Sequence, residues 1–355
     1  MKFSKLISIL LMSSLILLSA CGDAGQTASP AEGITPPPVI EPDESEQIVE
    51  PPAPAYIAPL TGMPSEEPIT QRPLAIMINN APAARPQSGL IDADVVYEVL
   101  AEGGVTRLVS LYQSKTDNAK IGPIRSIRPY MIDLGESYHA VTVHAGASND
   151  AYAILQAKRK DDLDEITNAG SYFWRDKSRK APHNLYSNVE TLLEGASKRG
   201  YETEAERTLG YVFYPENEGP NTVEKASTVE IKFQLDSYRV GYEFDAVTGV
   251  YKRSINEKPH NDLESGEQLT AANVVVMGAD HRVLDDIGRL QVGLTLGGEA
   301  ILFQQGHVVR ARWIREDNDI IRFVKDNQEV PMVPGKTYIH IVPNAPDFDS
   351  RVKAE

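Results

Sequence analysis

Arginines in short polar segments are the residues of this sequence best suited to chemistry. Arg85 follows the first apolar run of the folded region, and Arg107 lies within a later apolar run. Arg125 and Arg128 flank Ser126 just before a predicted helix, whose first turn would offer free backbone N–H groups. Because guanidinium groups bind carboxylates and phosphates through paired hydrogen bonds, these five residues predict an anion-binding site.

A structural role for the same arginines is also open. Arg125 and Arg128 would then form ion pairs that stabilise the fold. The possible partners are three acidic residues: Glu98, Glu102 and Asp133. Arg107 shares one face of its predicted strand with apolar residues, where an unpaired charge is costly. It therefore belongs either to an ion pair or to the anion site.

A second polar segment, residues 173–186, combines basic, aromatic and amide side chains. Arg175 lies among its four basic residues, and His183 and Asn184 precede a predicted helix. Aromatic rings can stack on sugars while basic groups contact acidic ones, so the segment suits contact with a polymer. His183 could also act as a general acid or base. The alternative is a solvated basic loop whose aromatic residues pack into the core.

The sequence offers few other catalytic candidates. His144 ends a predicted strand, where active residues of α/β sheets often lie, which makes it a second candidate acid or base. His139 and His144 would face opposite sides of one strand and cannot share a metal directly. No phosphate-binding loop, dinucleotide fingerprint, zinc motif or serine elbow is present, so no cofactor or metal is predicted. His260, Asp262 and His281 are interpreted as surface or loop residues.

Several elements must position these residues in a first region, 72–214. The pattern predicts a buried strand, a β-hairpin, a further strand and helices with N-terminal capping signals. The predicted elements are strand 73–78, hairpin strands 94–100 and 105–112, helix 129–138, strand 140–144, a helix capped by Asn149 or Asp150 and running to about 160, and capping boxes at 187–190 and 203–206.

A second region follows a proline- and glycine-containing break at 215–221, and we place a linker at 215–228. Residues 229–355 alternate as short strands separated by turns, with few helix signals. The predicted strands are 242–244, 250–254, 273–277, 293–296, 300–304, 307–313, 320–324 and 337–342. The sequence thus predicts an α+β protein, in which a mixed α/β domain precedes a mostly antiparallel β domain.

The amino terminus reads as a targeting segment. Lys2 and Lys5 precede an apolar run, as in a secretion signal. Residues 18–21 (Leu-Ser-Ala-Cys) resemble a bacterial lipobox. This resemblance implies that the signal peptide 1–20 is removed and that Cys21 is lipidated with fatty acids such as palmitate. Residues 22–71 hold eleven prolines and nine acidic residues but no Lys or Arg. This composition predicts an extended tether from 21 to 71, without packed structure before about Pro68.

Composition excludes several classes of protein. The chain has 355 residues, 41% hydrophobic and 24% charged, which is ordinary for a globular protein of about two domains. A formal charge of −15 argues against nucleic-acid binding. Cys21 is the single cysteine, which excludes disulfide scaffolds and, once lipidated, cysteine nucleophiles.

A set of distinctive segments resembles one known family. They are 72–80, 84–90, 93–98, 102–107, 121–126, 143–148, 181–186, 306–313 and 333–337. Together they are similar to the YerB family of Gram-positive lipoproteins, which implies a two-part domain of unknown function on a lipid anchor. The chain departs from the family at Asn79, where members usually have Asp. The resemblance carries no catalytic residue over.

Three functions are consistent with these features. The first is a lipid-anchored protein on the outer face of the membrane that binds an anionic ligand or an envelope polymer, such as peptidoglycan or teichoic acid, in an accessory role. The second is a hydrolase or transferase acting on a cell-wall substrate, with His183 or His144 as acid or base. The third is a solute-binding protein, which a β-rich second region suits less well.

Overall fold

The computed structural model describes residues 56–205 and 209–355, in which 23 strands and three α-helices are found. The helices are α1 (Pro129–Ser137), α2 (Asn149–Ala157) and α3 (Val189–Lys198). The strands are β1 (Tyr56–Ile57), β2 (Pro64–Ser65), β3 (Leu74–Asn79), β4 (Val95–Leu100), β5 (Thr106–Tyr112), β6 (Val141–His144), β7 (Asp162–Asp164), β8 (Trp174–Arg175), β9 (Leu185–Tyr186), β10 (Thr228–Lys232), β11 (Arg239–Asp245), β12 (Val250–Ile255), β13 (Lys258–Pro259), β14 (Thr270–Ala271), β15 (Asn273–Ala279), β16 (His281–Val283), β17 (Leu290–Val292), β18 (Gly298–Gln304), β19 (His307–Ile314), β20 (Arg322–Lys325), β21 (Gln328–Glu329), β22 (Thr337–Pro343) and β23 (Val352–Ala354).

An eleven-stranded mixed sheet forms the centre of the molecule. Its order is β21-β20-β19-β18-β15-β22-β4-β5-β3-β6-β7. Strand β22 pairs in parallel with β15 on one side and with β4 on the other. Strands from before and after the 215–228 segment therefore share one set of backbone hydrogen bonds. The division into two domains at that segment remains a proposal.

A smaller antiparallel sheet, β13-β12-β11-β10-β23, packs on one face of the large sheet. We call this the front face, which α3 also covers, and we call the face covered by α1 and α2 the back face. Alternation along β3 illustrates the arrangement: Ile76 and Ile78 pack in the front core, whereas Ala75 and Met77 pack in the back core. Both faces are buried, which explains why β3, β4 and β5 read as continuous apolar runs.

The predicted α+β class is confirmed, and so are most elements. The hairpin β4–β5 and the helix α1 lie where the sequence predicts them. The cap residues differ: Ser148 caps α2 and Asn188 caps α3, each accepting a backbone N–H in its first turn. The predicted strand at 293–296 is wrong, because this stretch follows β17 as irregular structure. Residues 203–205 are not helical, and the rest of that predicted capping box lies outside the described residues.

Part of the predicted tether belongs to the folded unit. β1 and β2 form a hairpin, and Leu60 is 1% exposed within the back core. The backbone N–H of Gly335 donates to the carbonyl of Thr61 at 2.7 Å. The expectation that packed structure begins only after about Pro68 is therefore wrong, since apolar residues among the prolines find a partner surface. The predicted signal peptide and Cys21 lie outside the described residues, within which no helix is long and apolar enough to cross a membrane.

Candidate anion-binding site

Three of the predicted arginines, Arg107, Arg125 and Arg128, converge where β3 ends and β5 begins. Asn79 and Arg107 are directly paired across these strands, and both belong to the back face by alternation. The loop from 122 to 128 crosses the same end, because the backbone N–H groups of Ile124 and Arg125 donate to Leu185 and Met77. We call Arg107, Arg125, Arg128, Arg179 and His183 the cationic cluster.

Arg128 has the one close carboxylate partner in the cluster. Its Nη2 donates to Oε2 of Glu102 at 2.9 Å, and its Nε donates to Oε1 of the same group. This two-point geometry fixes both side chains, which are partly buried. The guanidinium of Arg128 accordingly lowers the pKa of Glu102, against the opposing effect of burial. The predicted ion-pair alternative is therefore confirmed for Arg128.

Arg107 is buried without a carboxylate of its own. It is 9% exposed, and its Nη1 donates to the carbonyl of Ser126 at 2.7 Å. Its Nε is buried and finds no acceptor within the described part of the chain. Burial, reinforced by the positive charge of Arg128 and Arg125, lowers the pKa of Arg107 to about 10. An additional negative charge nearby would offset these costs.

Arg125 is half-buried, and its guanidinium forms no hydrogen bond or ion pair with the residues that the structure describes. Burial is the main cause that lowers its pKa, and the nearby positive charge of Arg128 adds to it. Three guanidinium groups, those of Arg107, Arg125 and Arg128, thus share the single carboxylate of Glu102. The local charge balance is positive, which favours binding of an anion.

His183 reaches the cluster from the loop between β8 and β9. Its Nδ1 lies 2.9 Å from Nδ2 of Asn79. Burial, followed by the positive charges of Arg125 and Arg179, lowers its pKa. The loop is held by Asn184, whose amide donates to the carbonyls of Asp176 and Arg179. Asn184 is therefore a positioning residue for this loop.

Five predicted site residues are not members of the cluster: Arg85, Ser126, His144, Arg175 and Asn184. Arg85 lies 5.1 Å from the ring centre of Tyr238, and its Nε donates to the carbonyl of Asn80. Arg175 forms an exposed ion pair with Glu165. The prediction that all six of Arg85, Arg107, Arg125, Arg128, His144 and His183 share one cleft is wrong for Arg85 and His144.

His144 is fully buried rather than open to a ligand. Its Nε2 lies 3.3 Å from Oδ2 of Asp162, and its Nδ1 lies 3.0 Å from the carbonyl of Gly146. Asp164, which is also fully buried, accepts the backbone N–H of Gly146. Alternation on β6 turned the imidazole inward, so His144 organises the strand end and contributes nothing to an exposed site.

A buried charge network lies on the front face behind the cluster. Glu98 and Arg253 form an ion pair at 2.7 Å, and both side chains are fully buried. The other carboxylate oxygen of Glu98 accepts hydrogen bonds from Asn80, Thr106 and Tyr238. Burial alone would raise the pKa of Glu98, but Arg253, His340 and the hydroxyl of Tyr238 hold it far below its usual range.

Two histidines extend this network. Nδ1 of His340 lies 3.3 Å from Glu98, and its Nε2 lies 3.0 Å from the hydroxyl of Tyr242. His260 accepts from Nε of Arg253 at 3.0 Å and lies 2.7 Å from Oε1 of Gln87. His260 and Asp262 lie outside the strands, in agreement with the loop interpretation, but they are buried rather than at the surface, at 4% and 1% exposed.

The sequence contains a pattern that indicates this network: charged or titratable residues at inward positions of largely apolar strands. Glu98 interrupts the apolar strand β4, Arg253 takes an inward position of the alternating strand β12, and His340 interrupts the apolar strand β22. A charged residue at such a position must find a buried partner. The signal marks the residues but not their pairing, because the partners are far apart in the chain.

A cavity of about 980 Å³ lies at the opposite end of the central strands. It is lined in part by Asp92, Lys115 and Lys336, and by residues of the 58–69 segment. Lys336 donates to the carbonyl of Ile91, and burial lowers its pKa. None of the predicted site residues lines this cavity. The cationic cluster and the cavity are therefore separate features.

Comparison with known proteins places this geometry in a family. The "Protein of unknown function (DUF3048) N-terminal domain" matches residues 60–202, and the corresponding C-terminal domain matches residues 229–339. The chain is 35% identical over 288 residues to YerB of Bacillus subtilis (strain 168), a protein named as a lipoprotein; the match covers 81% of this chain and 86% of YerB. The crystal structure of the YerB protein from Bacillus subtilis aligns with a TM-score of 0.76 at 33% identity, covering 84% of this chain and 99% of that one. The chain therefore belongs to the YerB family, with its paired DUF3048 domains, as its sequence motifs indicate.

Proposed function

We propose that this protein is a lipoprotein, anchored through Cys21 to the outer face of the bacterial membrane, that binds an anionic group of a cell-envelope component. The lipobox and the name of the Bacillus relative support the anchor. The observation that carries the binding role is the charge balance of the cationic cluster, in which Arg107, Arg125 and Arg128 share the carboxylate of Glu102.

Arg125 is the group best placed to contact the ligand. It is partly exposed, it has no acceptor among the described residues, and it lies close enough to His183 to lower the pKa of that imidazole. A guanidinium supplies two parallel donors to a carboxylate or phosphate. Arg128 is committed to Glu102, so its contribution is to fix the geometry of the loop.

Substitution of Arg125 tests the proposal. We expect Arg125→Gln to weaken binding of inorganic phosphate, and of soluble peptidoglycan or teichoic-acid fragments, by about tenfold or more, because a hydrogen bond to a charged group contributes about 1.5–3 kcal/mol. The melting temperature should change little, since the guanidinium has no described partner to lose. Isothermal titration calorimetry of the full-length protein in non-ionic detergent measures the affinity, and differential scanning calorimetry of the same sample measures the melting temperature.

Arg310→Gln is the matched control. Arg310 also lies at the protein surface, but it is paired with Glu224 and Asp349 and lies outside the cationic cluster. Its replacement should leave the affinity unchanged. The proposal fails if the wild-type protein binds none of these anions, or if the two substitutions weaken binding equally.

A further inference from the structure

The side-chain amide of Asn79 is held in one orientation. Its Oδ1 accepts the backbone N–H of Ala81 at 3.0 Å, which leaves Nδ2 facing Nδ1 of His183 at 2.9 Å. An amide nitrogen can only donate a hydrogen bond. Nδ1 of His183 must therefore be the acceptor, and the proton of the neutral ring must lie on Nε2.

We propose that Asn79 holds His183 as a neutral imidazole that presents its Nε2–H to an ionised oxyanion bound in the cationic cluster, so that His183 is a hydrogen-bond donor rather than a general base. The identity of the ligand rests on the proposed function. The position of the proton does not, because it follows from the contacts of Asn79 alone.

The charges around His183 act in the same direction. Arg125 faces it from the loop before α1 and Arg179 from its own loop, and both disfavour a positive ring. Among the described residues no carboxylate forms an ion pair with the imidazole. Protonation of Nδ1 would also place two donors, this nitrogen and Nδ2 of Asn79, against each other. The neutral form is thus favoured by geometry and by electrostatics.

The position of the proton on His183 helps to distinguish a binding role for the protein from a hydrolytic one. A histidine base needs a lone pair on the nitrogen that faces the substrate, and a carboxylate on the other nitrogen usually provides the correct tautomer. Here the lone pair of Nδ1 is directed at Asn79, and Nε2 carries the proton. A hydrogen-bond donor beside Arg125 suits an acceptor-only group such as phosphate or an ionised carboxylate.

Nitrogen NMR of the full-length protein in detergent micelles tests the inference directly. With ¹⁵N-labelled histidine, the signals of His183 are identified among the seven histidines by their loss in His183→Gln. At pH 7 we expect Nε2 to have the chemical shift of a protonated nitrogen and Nδ1 that of a nitrogen with a lone pair. Saturation with inorganic phosphate should shift Nε2 and leave Nδ1 nearly unchanged.

Asn79→Asp is a second test, because it replaces the donor that faces Nδ1 of His183 with an acceptor. A carboxylate at this position would accept a proton from Nδ1, so the tautomer should reverse and the pKa of His183 should rise by about one pH unit or more. The wild-type measurement does not depend on this variant, so the inference stays testable if Asn79→Asp does not fold.

The outcomes separate the inference from the proposed function. An Nδ1–H tautomer or a charged ring in the wild-type protein at pH 7 overturns the inference, whatever the protein binds. If phosphate binds but leaves Nε2 unshifted, the donor role is overturned. If the Nε2–H tautomer is found but no anion binds, the position of the proton stands and the proposed function fails.

Discussion

Asn79 and Asn80 are adjacent in the chain but serve opposite faces of the large sheet. Asn79 contacts His183 on the back face, whereas Asn80 donates to Glu98 on the front face. Gln87 connects the two, because its amide donates to the carbonyl of Asn79 and to the side chain of Asn80. A single strand end therefore links a partly exposed cationic cluster to a fully buried ion pair.

The buried network makes stability depend on pH through His260. Its Nδ1 accepts from Arg253 and its other nitrogen lies against Gln87, so the folded protein has no room for a second ring proton. Burial, followed by the charge of Arg253, holds the pKa of His260 well below its usual value. Below about pH 6.5 the unfolded chain takes up a proton that the folded chain does not. The free energy of unfolding should therefore fall as the pH is lowered through this range, by up to about 1.4 kcal/mol per pH unit for this residue.

His260→Gln isolates that contribution, because glutamine can accept from Arg253 and donate to Gln87. Urea unfolding at pH 5, 6, 7 and 8 should show a smaller decrease towards acid than in the wild-type protein. His340, whose pKa burial also lowers, should leave a residual slope. His139→Gln is the control, since His139 is exposed and its loss should leave the slope unchanged. Identical slopes in His260→Gln and wild type would contradict the prediction.

The sequence indicated which residues carry chemistry better than it indicated which residues they contact. The loop from 122 to 128 brings Arg125 close enough to His183 to affect the charge of its imidazole. The burial of His144 and the pairing of Glu98 with Arg253 could not be predicted. Which side of a strand a residue faces depends on register, and pairing over 155 positions depends on how the sheets stack.

At the scale of elements, the local sequence pattern predicted where strands and helices lie along the chain. It did not predict which strands pair with one another in the sheet. The apolar run of β3 indicates burial on both faces, and the structure confirms this burial. That β22 would lie between β4 and β15 could not be predicted, because the apolar surface of β22 fits many partners equally well. The packed 56–71 segment was missed because its prolines dominate the local composition.

Leu60, a buried residue of the 56–71 segment, provides a test of this packing. Leu60 is 1% exposed in the back core, so Leu60→Ala should lower the free energy of unfolding by about 2–5 kcal/mol through lost burial and a residual cavity. Ile57 is a control from the same segment, because it is 59% exposed. Ile57→Ala should change stability by no more than about 0.5 kcal/mol in the same urea titration. A similarly small effect of both substitutions would show that the segment is not part of the stable core.

At the scale of the whole molecule, one sheet joins the two regions matched by separate domain descriptions. The first match ends at 202 and the second begins at 229, so the linker that we propose at 215–228 lies between them. Strand β22 nevertheless comes from beyond the linker and pairs with β4 from before it. The Glu98–Arg253 ion pair crosses the same division and is fully buried. Separating the regions would expose the edge of β4 and leave both charges unpaired.

We therefore expect the two regions to unfold together. The chain has two tryptophans, Trp174 in β8 before the linker and Trp313 in β19 after it. Trp313→Phe leaves a fluorescent reporter in the first region, and Trp174→Phe leaves one in the second. In each variant the fluorescence transition in urea should coincide with the transition measured by far-ultraviolet circular dichroism, which follows the whole fold.

Comparing two signals within one variant removes the effect of the substitution on stability. This matters for Trp313, which is 1% exposed and donates its indole N–H to the carbonyl of Gly278, so that Trp313→Phe should unfold at lower urea than Trp174→Phe. Fluorescence and circular dichroism should still coincide, because separating the regions breaks the β22–β4 pairing and leaves Glu98 and Arg253 without each other. A fluorescence transition that precedes or follows the circular dichroism transition in either variant would show that the regions unfold separately. The linker, rather than the edge of the shared sheet, would then be the boundary of cooperative folding.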